Sequence, residues 1–214
     1  RHLNEKIPDD EFFWRQWALK NISVPGADIG ATSAWDRTVG SNEVVIAVID
    51  TGVDYTHPDL APNMWVNSGE TPGDGIDNDG NGYVDDVFGY DFAADNAGGD
   101  DKDPMDTHGH GTHVAGIAAA AGNNRIGIAG VSWCTKIMAL KAARPNNYLF
   151  DSDIVQALEY AVLMKESFGV NIVAANLSAG GYGSSDILED AIRMAGEAGI
   201  IFCTSAGNDS VDTD

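Results

Sequence analysis

A chain of 214 residues with 43% hydrophobic content is long enough to bury a real core, and it reads as one globular domain or most of a larger one. Its 12 basic residues stand against 33 acidic ones, a formal net charge of −21, which argues against a nucleic-acid partner and suits a salt-tolerant surface. There is no run of 18 apolar residues to span a membrane, and no basic, apolar-cored leader, so no signal peptide is expected within it.

In chain order, a helix-like stretch at residues 28–35 leads into EVVIAVID at 43–50, whose Val/Ile run predicts a strand buried on both faces. Residues 60–106 turn Gly-, Asp- and Asn-rich and read as one long functional loop. A helix then starts near His110, with Val114, Ile117, Ala118 and Ala121 on one face, and stops at Gly122. KIMALK (136–141) is the second strand, followed by a helix capped at Ser152 that buries Val155, Leu158 and Val162 and runs to about Phe168. NIVAANL (171–177) is the third strand. Ser185 caps the next helix, through Ile187, Leu188, Ala191, Ile192 and Ala195 to Gly199, and residues 200–205 form the fourth strand. Cys134 and Cys203 lie in apolar runs and read as free buried thiols rather than a disulfide. No repeat or domain boundary interrupts the pattern.

Strands alternating with helices predict an α/β fold: a parallel sheet with right-handed crossovers and reactive groups beyond the C-terminal strand ends. Asp50, Ser178 and Asn208 fall there. A carboxylate ending an apolar strand, as Asp50 does, is costly unless it is hydrogen-bonded, either by its own turn or by a histidine ring N–H. The stretch HGHGTH at 108–113 supplies three histidines beside glycines at a helix start. The acids concentrated in 74–106 point to calcium. Asp77, Asp79 and Asn81 take positions 1, 3 and 5 of an EF-hand-like half-loop closed by Gly82, with the Tyr83 carbonyl and Asp85 or Asp86 completing the shell. Position 12 is Phe88 rather than Glu, so a true EF-hand is not expected.

DTGVDYTHPDL (50–60) and HGTHVAG (110–116) resemble the aspartate and histidine motifs of the subtilisin-like serine proteases, the subtilases. NLSAGG (176–181) and TSAGN (204–208) resemble that family's substrate-binding strand and oxyanion motif, and the likeness runs from about Asp9 to the end of the chain. The resemblance implies a three-layer subtilisin-like fold, with a parallel sheet flanked by helices on both faces. It implies a peptidase in which Asp50 orients His110, the general base and acid, and the Asn208 amide stabilises the oxyanion. Ser178, Ala179 and Gly180 would pair with a polypeptide substrate as an added strand. Ala179 stands where the family commonly has a leucine, which implies a wider adjoining subsite. The family's Gly-Thr-Ser nucleophile segment does not occur. Ser178, Ser184, Ser185, Ser205 and Ser210 lie in other contexts, so these residues alone are expected to be inactive, truncated before the nucleophile helix, with the serine on a C-terminal piece.

The resemblance also implies a second calcium site, built from Asn124, the carbonyls of Gly122, Ile126 and Ile128, and the carboxylates of Asp59 and Asp10, with Asp9 as the alternative to Asp10. The family further implies a secreted or extracytoplasmic setting and leaves room for a pro-segment. Two other readings compete. One is a non-catalytic peptide-binding relative. The other is a zinc hydrolase on His108, His110 and His113, whose spacing resembles the metallo-β-lactamase motif but carries Thr112 where that motif has Asp.

Overall fold

The computed structural model describes residues 5–93, 102–144, 148–180 and 184–208. Gly181 and Ser210, named above, lie outside the described residues. The regular elements are α1 (Ala31–Ala34), β1 (Val45–Asp50), β2 (Gly89–Asp91), α2 (His110–Ala119), β3 (Lys136–Lys141), α3 (Asp151–Glu166), β4 (Ile172–Leu177), α4 (Asp186–Glu197) and β5 (Ile201–Thr204). The strands form one sheet in the order β2-β3-β1-β4-β5, and every neighbouring pair is parallel.

β1 is central because its side chains are apolar on both faces. Val45, Ala47 and Ile49 point into the larger core with Leu158, Tyr160, Ala161 and Met164 of α3 and with Ala191 and Ala195 of α4. Val48 points the other way, against Ala115 and Ala119 of α2 and against Leu60 and Met64. Helices on both faces give the expected three layers. A third cluster (Phe13, Leu19, Ala31, Trp35, Ala129 and Trp133) anchors the N-terminal region beside the turn after α2.

Among the described residues the sheet has five strands where four were expected. β2 emerges from the Gly/Asp-rich stretch, held by the Lys141–Asp91 ion pair and by Phe92 N–H donating to the Lys141 carbonyl at 2.7 Å. Three residues are too few to show a period. Ser152 is not the cap of α3: Phe150 is, without a side-chain bond, and Ser152 Oγ donates to Asp153 Oδ1 at 2.8 Å inside the first turn. Ser185 does precede α4, yet it too makes no side-chain cap bond. Both helices instead open with acids, Asp151 and Asp153 in one and Asp186 and Glu189 in the other, which complement the helix dipole. The cysteines are free, but Cys203 is exposed and Cys134 half-buried. α2 buries Gly111, Ala115, Gly116 and Ala119 rather than its larger side chains, and Ile117 is 49% exposed.

Candidate active site

Asp50 closes β1, and its backbone carbonyl accepts Ala142 N–H at 2.9 Å and Ala143 N–H at 3.1 Å, which pins the ends of β1 and β3 together. The side chain is 4% exposed. Its Oδ1 accepts Thr51 N–H at 2.7 Å and lies 2.6 Å from Nδ1 of His110, the first residue of α2. The His110 side chain remains 42% exposed. A half-exposed imidazole on a buried carboxylate is held in one tautomer and orientation, the arrangement a general base requires. The close fit of α2 onto β1 depends on Gly111: a Cβ there would stand 2.1 Å from the Gly52 carbonyl oxygen and 3.0 Å from Asp50 Cβ.

β4 and β5 bring the other candidates to the same edge. Leu177 is in register with Ile49 on one side and Thr204 on the other, so Ser178 follows directly beyond the sheet. Asn176 Nδ2 donates to Ser178 Oγ at 2.9 Å, and Ser205 Oγ donates to the Ala179 carbonyl at 2.8 Å, tying residues 178–180 to the loop after β5. Gly180 and Asn208 are exposed. β4 lies between β1 and β5, so β5, which leads to Asn208, runs two strand spacings, roughly 10 Å, from β1. Below this edge, on the α2 side, an apolar groove of about 290 Å³ is lined by Ile46, Val48, Val114, Ile117, Ala174 and Cys203 and reaches Ser178.

Two acidic places fit an oxygen-seeking cation. At the first, Asp10 and Asp59 are buried and face the loop at residues 122–128. Asp59 accepts Asn124 Nδ2 at 2.8 Å and Ile128 N–H at 3.0 Å, and Asp10 Oδ2 accepts Asn123 N–H at 2.6 Å. Asp10 Oδ1 is buried with no hydrogen-bond partner among the described residues. Burial, with Asp59 adding repulsion, raises the Asp10 carboxyl above its ordinary value despite backbone N–H donors. Asn123, Arg125 and Gly127 all have positive φ (62°, 66° and 47°), and a Cβ on Gly127 would lie 2.4 Å from Asp59 Oδ2. Asp9, the alternative carboxylate, pairs outward with Arg125 Nε at 3.0 Å.

At the second place, Asp77 and Asp79 gather as expected, but with Glu70, which the sequence reading passed over. One oxygen from each of the three lies within 4.8 Å of the others. Glu70 is drawn in by Asn78 N–H and Asp79 N–H on Oε1 and by Asp85 N–H on Oε2. Asn81 Oδ1 accepts Tyr83 N–H at 2.7 Å, while its amide donates to Asp79 and Asp86. Asp86 sits behind this group, 0% exposed, accepting Tyr160 O–H at 2.5 Å and the Asn67 and Asn81 amides. Burial pushes its carboxyl up to about 6. Asp85, the other residue expected to close the shell, pairs instead with Lys102 at 2.6 Å, which pulls its carboxyl below the usual range.

His108 and His110 have ring centroids 6.4 Å apart, and His110 Nδ1 is committed to Asp50. Among the described residues the histidines of 108–113 form no three-ligand cluster. No helix among them is long and apolar enough to cross a membrane.

The profile of the subtilase family, peptidase family S8, matches residues 41–214. A thermophilic serine proteinase of Bacillus sp. (strain AK1) is 42% identical over 216 residues, covering 99% of this chain and 46% of that protein. Subtilisin-like protease 1 of Plasmodium berghei (strain Anka) is 36% identical over 201 residues, covering 94% of this chain and 31% of that protein. A solved protease of Pseudoalteromonas arctica PAMC 21717 superposes with a TM-score of 0.70 at 28% identity, over 94% of this chain and 59% of that one. The chain therefore spans 31% to 46% of the length of these two curated relatives. Matched by the profile over most of its length and built on the same parallel sheet, the chain belongs to the subtilase family.

Proposed function

We propose that this chain is the acid–base half of a calcium-stabilised subtilisin-like serine endopeptidase domain, secreted or otherwise extracytoplasmic. The observation that carries the reading is the 2.6 Å contact between His110 Nδ1 and buried Asp50 at the C-terminal edge of a parallel sheet. With Nδ1–H donated to Asp50, the other ring nitrogen of His110 takes the proton of a serine hydroxyl as it attacks the peptide carbonyl. His110 then returns that proton to the leaving amine, and the acyl-enzyme is hydrolysed in the reverse sense. The Asn208 amide donates to the tetrahedral oxyanion; in subtilisin the loss of such a donor costs about 10²–10³ in turnover. Ser178, Ala179 and Gly180 extend the sheet edge and pair with the substrate backbone, and the small Ala179 leaves space for a bulky substrate side chain.

The serine comes from a segment outside these 214 residues, on the same polypeptide or on a companion piece. The open groove between α2 and β4–β5 has the apolar lining and the position beside Ser178 to receive it. Calcium would be held by Asp10, Asp59, Asn124 and the carbonyls of Gly122, Ile126 and Ile128, and separately by Glu70, Asp77 and Asp79 with Asn81 and Tyr83 beside them. When bound, it supplies positive charge that cross-links loops and takes no part in bond breaking. The acid-rich composition and these oxygen sites support a calcium-rich extracellular setting, where a pro-segment would also act.

Fluorophosphonate labelling of the full-length protein tests the reading. Covalent labelling that disappears in His110→Ala is expected. A full-length protein that neither labels nor cleaves denatured casein overturns it.

A further inference from the structure

Asp106 lies outside the residues given a role above, yet it receives more hydrogen bonds than Asp50 does from its own turn. Its Oδ1 accepts His108 N–H and Gly109 N–H, each at 2.8 Å, and Thr51 O–H at 3.0 Å. Its Oδ2 accepts Thr112 N–H at 2.9 Å and Thr112 O–H at 2.6 Å. Thr51 Oγ1 in turn accepts Gly111 N–H at 2.9 Å. Thr51 directly follows Asp50, and Gly111 directly follows His110. One carboxylate thus grips the residues on both sides of His110 and, through a single hydroxyl, the residue next to Asp50.

The chemistry of this arrangement is specific. The opening N–H groups of α2 have no intrahelical acceptor, and the Gly109 cap position makes no side-chain cap bond of its own. Asp106 supplies the missing acceptor from outside the helix and places a negative charge at the positive end of the dipole. Burial raises its carboxyl, but the Thr112 side chain and the backbone donors of Gly109, Thr112 and His108 outweigh burial and hold it below the ordinary value. Thr112 Oγ1 also accepts Asp54 N–H at 2.9 Å, which ties the far side of the turn after β1 to the same helix. None of these residues is among those proposed above to meet the substrate, and the effect assigned to the set runs through His110.

We infer that Asp106, acting through Thr51 and Thr112, is a positioning residue that fixes the distance between His110 and Asp50. The inference rests on the peptidase reading given above. Beyond its own backbone, the ring is located by its Nδ1 contact to Asp50 and by the neighbouring His108 ring, and a displacement of about 1 Å at a reacting group costs about 100-fold in rate. Asp106→Asn puts an amide donor where one carboxylate oxygen met only N–H and O–H donors, so the network cannot close. Thr51→Val removes the bridging hydroxyl without changing its volume, and Thr51→Ser keeps it.

The test is made on the full-length protein, with kcat expressed per fluorophosphonate-titrated site and the His110 Nδ1 proton followed by NMR. Asp106→Asn is expected to lower kcat per site about 10- to 100-fold with KM within about twofold, and to shift or broaden that proton signal. Thr51→Val is expected to follow in the same direction at about tenfold, and Thr51→Ser to return to wild-type turnover, which decides the matter should Asp106→Asn fold poorly. A merely structural role would lower the melting temperature while leaving kcat per site and the proton signal unchanged. That outcome, or equal turnover in Thr51→Val and wild type, overturns the inference. A wild-type protein that fails to label overturns the peptidase reading beneath it, and is told apart from the other failures because it needs no variant.

Discussion

The two ends of α2 carry buried or half-buried carboxylates that are handled in opposite ways. At the N-terminal end every contact named for Asp50 and Asp106 is a donor from the protein itself: backbone N–H groups, threonine hydroxyls and the His110 ring. Beyond the C-terminal end, Asp10 and Asp59 both meet a loop with three left-handed residues, and one Asp10 oxygen is buried without a donor among the described residues. Close carboxylates repel, and a buried unpaired oxygen costs about 1–3 kcal/mol. One end is complete as polypeptide. On the reading proposed above a cation completes the other, which divides the labour of the helix: the first end is for proton transfer, the second for anchorage.

The largest effect expected from this contrast is on turnover. In the full-length protein Asp50→Asn should lower kcat about 10⁴-fold, because the amide favours the wrong histidine tautomer, and steady-state kinetics on a peptide substrate will show it. Loss of folding rather than of turnover would break the comparison. Next comes chelation. A cation held at about 100 times its Kd contributes about 2.7 kcal/mol, so excess chelator should lower the melting temperature by roughly 5–10 °C in calorimetry. An unchanged melt would remove the distinction between the two ends. Asp10→Asn should reduce that sensitivity while leaving fluorophosphonate labelling in calcium intact.

A smaller effect belongs to pH. The folded-state pKa of Asp106 is lowered, so the unfolded chain binds its proton more readily, and the stability it contributes is present above the ordinary carboxylate value near 4. That stability is lost as pH falls through the lowered value. Acid denaturation curves of wild type and Asp106→Asn should therefore differ at neutral pH and converge in acid; curves that stay parallel would contradict it. Smallest of all is Ile117→Ser, between the two ends. Because Ile117 is half-exposed, the stability of these 214 residues should change by no more than about 0.5 kcal/mol in urea unfolding.

How much of this was legible in the sequence depends on whether a signal was local. β1, β3 and β4 announced themselves through unbroken apolar runs, and the strand-end position of Asp50 followed from them. The groove face of α2 was read as core because Val114, Ile117 and Ala118 keep helical spacing. The pattern was right, but the described residues leave that face open, and spacing cannot say what covers an apolar stripe. β2 was lost because its three residues pair through backbone bonds that any sequence makes. Glu70 was missed for a different reason. It joins Asp77 and Asp79 only because backbone N–H groups several residues away fold onto it, although an acid opening a Gly/Asp-rich loop is a usable hint. Asp106 was seen only as part of a charge run, since its five donors come from both sides of a fold that brings Thr51 to it.

The order β2-β3-β1-β4-β5 also has a consequence for how the molecule is made. The strand that ends in Asp50 is the first of the described strands in sequence and sits in the middle of the sheet, with neighbours that begin at Lys136 and Ile172. Closing the loop from Val45 to its register partner Lys136 costs about 4 kcal/mol of chain entropy before any pairing is gained. At about 5–20 residues per second, a ribosome needs several seconds to reach β3 after β1 has emerged, and longer to reach β4. Over that interval the most apolar of the described strands has neither neighbour, so the nascent chain carries an adhesive segment and no assembled Asp50–His110 pair. On the peptidase reading proposed above, the activity is thereby withheld until the sheet around Asp50 has closed.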